Sequence, residues 1–273
     1  MKLIQVDREK CIRCGRCADV CPTRVIAMND QFPHAIGDSC IACGHCVAVC
    51  PTEALANAKA PLVAQPPLEK TPVLDAVTAE LFLRARRSIR LYKQETVPRE
   101  KILQLLNIAR MAPTGGNSQG LSYHVIDNAE TLKKISAVVV DWMEEEVRKG
   151  SPRAPYYAGS VDNYRKTGTD VILRDAPCLI AATAPNNFLP RGRDNTHFSL
   201  SYAELYAPSI GLGTCYTGFF EACATNGYQP LLKILNLSEK MEVTGGIIVG
   251  YPKYAYMRLA ERNPLQVTWE PRE

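Results

Sequence analysis

Eight of the chain's eleven cysteines lie between Cys11 and Cys50, and they repeat one spacing. Cys11-x2-Cys14-x2-Cys17-x3-Cys21-Pro22 is followed, 29 residues on, by Cys40-x2-Cys43-x2-Cys46-x3-Cys50-Pro51. The echo extends past cysteine: Gly15 answers Gly44, Val20 answers Val49, and Thr23 answers Thr52. Clustered thiols at gaps of two and three residues read as metal ligation and not as a disulfide framework. Met1–Asp7 becomes charged too early for a signal peptide, so the expected compartment is the cytoplasm.

Three cysteines at two-residue gaps wrap a tight loop around one cuboidal iron–sulfur cluster, with backbone N–H groups free to point at the sulfurs. The fourth cysteine is carried away by the following turn. This spacing is that of the bacterial ferredoxins, in which the fourth cysteine serves the other cluster. It assigns Cys11, Cys14, Cys17 and Cys50 to one [4Fe–4S] cluster and Cys21, Cys40, Cys43 and Cys46 to a second. Zinc usually takes two cysteine pairs separated by a longer loop, which fits these runs poorly. Pro22 and Pro51 are expected to stop a short helix after each run. Short strands are expected at Lys2–Val6 and His34–Gly37, and His45 reads as a solvent-facing loop residue. A domain this small has little core, so its clusters supply much of its stability.

The formal charge of +4 does not point to nucleic acid. Two oxidised clusters with their thiolates each carry a charge of about −2, which brings the holoprotein near neutrality. The longest apolar stretches fall far short of a membrane span. Residues 1–58 form the cluster domain. Residues 59–73, with four prolines, form a semi-rigid and largely extended connector. In 74–273, helices are expected over Asp75–Arg84 (apolar face Ala76, Ala79, Leu81, Phe82), Pro98–Arg110, Glu130–Arg148 and Asp194–Ile210. Strands are expected at Leu121–Asp127, Cys178–Thr183 and Val243–Val249, which makes the fold class α+β. Cys178, Cys215 and Cys223 read as small core residues, and His124 and His197 as structural histidines. Trp142–Gly168, rich in charge and tyrosine, reads either as a solvated excursion or as a lid.

Four segments of the second domain resemble the nitroreductase family, whose members bind FMN. Arg86-Arg87-Ser88-Ile89-Arg90 is similar to its phosphate motif, and Pro113-Thr114-Gly115-Gly116-Asn117-Ser118-Gln119 to its Pro-Ser-x-x-Asn-x-Gln loop. Gly211–Gly218 is similar to the loop beneath the flavin ring, and Gly250-Tyr251-Pro252 with Arg258 and Arg262 to the C-terminal phosphate contact. The position where some members place a phosphate-binding lysine is Ala260 here. The residues themselves permit these roles. Guanidinium forks and a hydroxyl at Arg86, Arg87, Ser88 and Arg90 suit a phosphate, although an Arg-rich run is also an ordinary exposed helix end. Asn117 can donate to and accept from a flavin's pyrimidine edge, or it can mark a simple turn.

The resemblance implies a small two-cluster, ferredoxin-like domain followed by an FMN-binding α+β domain. Its flavin contacts would come from Arg86, Arg87, Ser88, Arg90, Pro113, Thr114, Gly115, Asn117, Gln119, Tyr216, Thr217, Gly218, Arg258 and Arg262. It further implies a homodimer with FMN at the interface and an oxidoreductase acting on a small organic acceptor such as a nitro compound or quinone. Two clusters are superfluous for a flavin fed only by NAD(P)H, so reduced ferredoxin or flavodoxin is the expected donor. The rival is a non-catalytic electron carrier or redox sensor; an aromatic-lined pocket would favour the enzyme.

Overall fold

The computed structural model describes residues 2–68, 71–188 and 191–270. Two residues of the expected connector, 69 and 70, lie outside that set. The chain divides into two compact units: Met1–Val73 together with Thr114–Ser118, and Leu74–Pro113 together with Gln119–Glu273.

The first unit follows its internal repeat. Strand β1 (Ile4–Val6) is followed by helix α1 (Arg16–Asp19) and strands β2 (Ile26–Met28) and β3 (Pro33–Ala35). Helix α2 (His45–Ala48) and strand β4 (Leu55–Asn57) complete it. Antiparallel pairing joins β1 to β4 and β2 to β3, so each two-stranded sheet is small. Each short helix opens on a left-handed glycine, Gly15 at φ 76° and Gly44 at φ 75°, a conformation that side chains resist. Both helices end before Pro22 and Pro51. His45 is exposed as expected, although it sits on α2 and not in a loop. The connector departs from the extended form. Leu62–Ala64 makes a 3-10 turn, Leu62 packs on this unit's core, and Gln65 Nε2 donates to Ala60 O at 3.2 Å.

The second unit is built on an antiparallel sheet of four strands: β5 (Ser122–Ile126), β6 (Cys178–Pro185), β7 (Gly213–Tyr216) and β8 (Met241–Gly250), in the order β5-β6-β8-β7. The central strands β6 and β8 are buried along nearly their whole length, which explains their continuous apolar runs. Alternate residues serve two cores. Cys178, Ile180 and Ala182 join a cluster with α4 (Arg99–Ala109) and α7 (Arg191–Tyr206). Leu179 and Ala181 face α5 (Ala129–Arg148), α6 (Ala154–Thr167), α8 (Gly218–Thr225) and α9 (Gln229–Leu235). One further helix, α3 (Ala76–Ala85), is capped by Asp75, whose side chain accepts from Thr78 N.

Helix α5 shows why these helices form where they do. Asn128 Oδ1 caps it by accepting from Thr131 N at 2.9 Å, and Leu132, Ile135, Val139, Trp142 and Met143 form one buried stripe. The stretch 142–168 is therefore not a free excursion. Trp142 and Met143 complete the stripe of α5, and Tyr157 and Val161, one turn apart on α6, are buried against it. The apolar face expected on α3 has no buried residue: Leu81, Phe82 and Leu83 are all exposed. Cys178, Cys215 and Cys223 are buried as expected. The long helix expected to Ile210 ends at Tyr206 and tightens into a 3-10 turn over Ala207–Ile210. Gly213–Tyr216, expected as loop, pairs with β8 as an edge strand.

Candidate functional site

In the first unit Cys11, Cys14, Cys17 and Cys50 ring one cavity, joined by Arg13, Gly15 and Ala54. The fourth cysteine of the second run thus stands with the first three of the first run. Donors converge on the sulfurs: Ala54 N reaches Cys50 Sγ at 3.2 Å, and Asn57 Nδ2 reaches Cys46 Sγ at 3.5 Å and Cys40 Sγ at 3.6 Å. Burial pushes the Cys50 thiol up, but the amides of Thr52 and Ala54 and the Thr52 hydroxyl outweigh it and leave the thiol below its ordinary value. Cys21 is lowered by the same balance, its burial opposed by the Thr23 hydroxyl and the amides of Val25 and Ile26. Among the described residues no three His, Cys, Asp or Glu side chains converge on a single-ion site. Four thiols spread around a cavity, with N–H donors behind them, fit a broader group such as a cluster.

In the second unit three of the four expected segments come together. Residues 88–93 run beside β7 and the stretch after β8. Ile89 N donates to Thr214 O at 2.8 Å, Lys93 N to Tyr251 O at 2.9 Å, and Lys253 N to Leu91 O at 3.0 Å. Gly213 permits this approach, since a Cβ there would lie 2.5 Å from Ile89 Cγ1. Arg87 donates to the carbonyl of Arg258 and sits over the Tyr256 ring. Arg86 is engaged elsewhere, 3.8 Å from the carboxylate of Glu204, which is 5% exposed. Burial raises the Glu204 carboxyl, and Arg86 and the Thr214 hydroxyl partly oppose the rise. Arg258 and Arg262 are exposed. The Pro113–Gln119 loop is divided: Thr114–Ser118, with Gly115 and Asn117, clusters with the first unit, where Asn117 Nδ2 donates to Ile41 O at 2.9 Å.

Two cavities, of about 650 and 310 Å³, share Arg153, Tyr157, Tyr216 and Gly218. Arg90 and Thr217 line the smaller one, so four expected residues (Arg90, Tyr216, Thr217 and Gly218) do meet there. Thr217 is 3% exposed and its hydroxyl has no partner among the described residues, although its N–H donates to Gly246 O at 3.0 Å. Leaving such a hydroxyl unpaired costs roughly 1–3 kcal/mol. Beside it, a Cβ on Gly218 would meet nothing within 4 Å. The larger cavity has its own unpaired hydroxyl, that of Ser151. Arg90, Arg153 and Arg174 all line the smaller cavity, none is in an ion pair among the described residues, and no carboxylate lines it. Its donors are therefore supplied for an anionic, hydrogen-bonding ligand, and Tyr156, Tyr157, Tyr216 and Phe219 in its lining offer aromatic surface. A flavin phosphate and its polar ring fit that donor set.

The larger cavity holds a cluster that no motif announced. Arg193 donates to Glu221 Oε1 through Nη2 at 2.8 Å and Nε at 3.1 Å, and His197 Nε2 stands 3.5 Å from Glu221 Oε2. His197 Nδ1 lies 3.0 Å from Arg193 O, so both ring nitrogens face acceptors. Glu221 comes from α8 and the other two from α7, one turn apart. Only the i, i+4 spacing of Arg193 and His197 was available in the sequence, and it reads equally well as a solvated face.

Comparison with known proteins agrees with both units. Residues 3–51 match the 4Fe-4S dicluster domain, and residues 83–251 match the nitroreductase family. Among curated relatives, the FMN reductase [NAD(P)H] of Bacillus subtilis (strain 168) is 25% identical over 170 residues, 61% of this chain and 62% of that protein. This chain thus spans about three-fifths of that relative. An iodotyrosine deiodinase of Thermotoga neapolitana is 23% identical over 168 residues, 61% of this chain and 84% of that protein. The nitroreductase with bound FMN from Bacteroides fragilis NCTC 9343 shares the fold, with a TM-score of 0.57 at 16% identity over 72% of this chain and all of that one. With the family match spanning well over half its length, the chain belongs to the nitroreductase family and carries a 4Fe-4S dicluster domain ahead of the family's module.

Proposed function

We propose that the chain is an FMN-dependent oxidoreductase that passes electrons from a low-potential one-electron donor, by way of two [4Fe–4S] clusters and FMN, to a small organic acceptor. The observation that carries this reading is the smaller cavity: three arginines in no ion pair among the described residues line it together with Gly218 and the buried Thr217, whose hydroxyl has no partner among them. When bound, the clusters exchange single electrons and FMN supplies hydride chemistry, so the protein's part is binding, orientation and exclusion of water. Arg90 and Arg174 would hold the flavin's acidic end, and Thr217 and the start of α8 its ring. The larger cavity would admit the acceptor between Trp142, Tyr157 and the Arg193–Glu221–His197 cluster, with His197 placed to hold a proton. A concave pocket with aromatic lining supports an enzyme over a carrier docked flat against a protein partner. A nitro compound, quinone or halogenated aromatic would all suit such chemistry.

A homodimer is part of the proposal. Val77, Leu81, Phe82 and Leu83 of α3, and Leu265, Val267 and Trp269 near the C-terminus, are large apolar side chains left exposed, which supports a partner on these faces. No helix among the described residues is long and apolar enough to cross a membrane.

The test is anaerobic titration of the as-purified protein with iron, sulfide and FMN quantified. About eight irons and one flavin per chain, reduced by a low-potential one-electron donor and not by NAD(P)H, support the reading. Rapid flavin reduction by NAD(P)H would reverse the proposed direction, and clusters without flavin would sink the assignment of the second unit.

A further inference from the structure

The two cysteine loops share one backbone but not one surface. Arg13 and Ala42 occupy equivalent positions at φ 59° and 55°, and Gly15 and Gly44 do so at 76° and 75°. A fold that accepts alanine in one copy does not require arginine in the other, so the difference between the loops reports on something outside the fold.

Two differences run together. The first is charge. Residues 8–16 carry Arg8, Lys10, Arg13 and Arg16 against one carboxylate, Glu9, whereas the equivalent residues 37–45 carry Asp38 and no lysine or arginine. Lys10 lies 3.7 Å from Asp7, but Arg8, Arg13 and Arg16 are in no ion pair among the described residues. Arg8 and Arg13 converge on one aromatic ring, their guanidinium carbons 5.3 and 5.0 Å from the centre of Phe32. The neighbouring carboxylates are Asp7, which accepts from the amides of Glu9 and Lys10, and the exposed Glu9 and Asp19.

The second difference is cover. Around the second loop the unit's own residues are seated: Lys59 Nζ on the carbonyls of Asp38 and Cys40, Asn117 Nδ2 on that of Ile41, and Gln65 against Gly44. Around the first loop Ile12 is 63% exposed, Cys14 is exposed, and nothing lies within 4 Å of a Cβ placed on Gly15. An exposed isoleucine beside an exposed cluster cysteine, rimmed by three unpaired arginines, has the make-up of a protein-docking face.

We infer that the Cys11–Cys17 loop is the electron entry face and docks an acidic one-electron carrier protein through Arg8, Arg13 and Arg16. The inference rests on the donor reading proposed above. In the step it describes, the carrier loses one electron and the cluster held by Cys11, Cys14, Cys17 and Cys50 gains one; no bond or proton is exchanged.

The test uses the full holoprotein and a purified acidic flavodoxin, reduced and mixed anaerobically, with cluster bleaching followed by stopped flow. The variant is R13N/R16Q, since asparagine tolerates the left-handed backbone at position 13. The mirror variant is A42N/H45Q in the second loop. Methyl viologen radical, a small reductant that needs no docking face, is the internal standard for intact clusters. At low salt, R13N/R16Q is expected to lower the second-order rate with flavodoxin about tenfold or more and to flatten its salt dependence, because steering by complementary charge raises on-rates ~10–10³-fold. The flavodoxin rate of A42N/H45Q should match wild type, and the flavodoxin rate of R13N/R16Q divided by its own viologen rate, which absorbs any change at the cluster itself, should stay about tenfold below the wild-type ratio. Equal flavodoxin rates for wild type and R13N/R16Q, or equal losses in the two variants, would overturn the docking face alone. A wild type reduced by viologen but not by flavodoxin would overturn the donor reading and the inference with it.

Discussion

Replacing Thr217 with valine should stabilise the flavin-free protein and weaken flavin binding, two effects that a purely structural threonine would not combine. The side chain is 3% exposed, its hydroxyl has no partner among the described residues, and it provides no side-chain cap to α8, so no described residue depends on that oxygen. Valine keeps the β-branched shape beside Gly246, where a Cβ would lie only 2.8 Å from Thr217 Oγ1, while removing the buried polar atom. An unsatisfied buried hydroxyl costs about 1–3 kcal/mol. For a domain of this size each kcal/mol moves the midpoint by roughly 2–4 °C, so T217V should raise the Tm of the flavin-stripped protein by about 2–12 °C. With FMN bound, the hydrogen bond that threonine would make, worth about 0.5–1.5 kcal/mol net, is lost. The holoprotein should therefore gain less, and the FMN Kd should rise about two- to tenfold. Differential scanning calorimetry of stripped and loaded protein, with flavin fluorescence titration, reads both numbers. A flavin-free T217V that is less stable than wild type would refute the reasoning, because the hydroxyl would then have a partner within the protein.

Arg174 offers a second handle on the same cavity: it is half-buried at φ 58°, so R174N removes the charge and suits the backbone. FMN affinity should fall about tenfold, a loss of roughly 1.4 kcal/mol, while riboflavin, which lacks the phosphate, binds within about twofold of wild type; equal losses for the two would place the phosphate elsewhere. Arg86 should matter more at high pH than at low. Burial raises the Glu204 carboxyl above its ordinary value, so its contribution to stability falls as pH rises from the unfolded pKa through the native one. R86Q removes the opposing charge and raises that carboxyl further, so urea unfolding should show a loss of about 1–3 kcal/mol at pH 8 and less at pH 5. C50S should remove the same cluster as C14S, measured by iron content and the electron paramagnetic resonance of the remaining cluster, since Cys50 and Cys14 line one cavity.

Some of this protein is legible from residue order alone because the information is local. Cluster ligation needs thiols at fixed gaps, and those gaps appear twice in the chain. The left-handed glycines, the buried runs of β6 and β8 and the apolar stripe of α5 likewise follow from neighbours a few residues apart. Arg90, Tyr216, Thr217 and Gly218 lie in short segments that the resemblance singles out, and the fold brings them to one cavity.

What tertiary structure decided involves partners distant in sequence. Arg86, one of a run of similar arginines, pairs with Glu204 far along the chain, whereas Arg90 lines the cavity and makes no ion pair among the described residues; nothing in Arg-Arg-Ser-Ile-Arg separates the two. Arg153, Arg174 and the Arg193–Glu221–His197 cluster carry no motif, since packing of helices and turns distant in the chain assembles them. The 142–168 stretch reads by composition as a solvated excursion or a lid, yet Trp142 and Tyr157 are buried while the adjacent Tyr156 is exposed, because the face each presents is set by the packing of α5 on α6. The two cysteine loops show the same division within one repeat. Their cysteine positions are written in the spacing, but which loop is covered and which lies open depends on where Lys59, Gln65 and Asn117 come to rest.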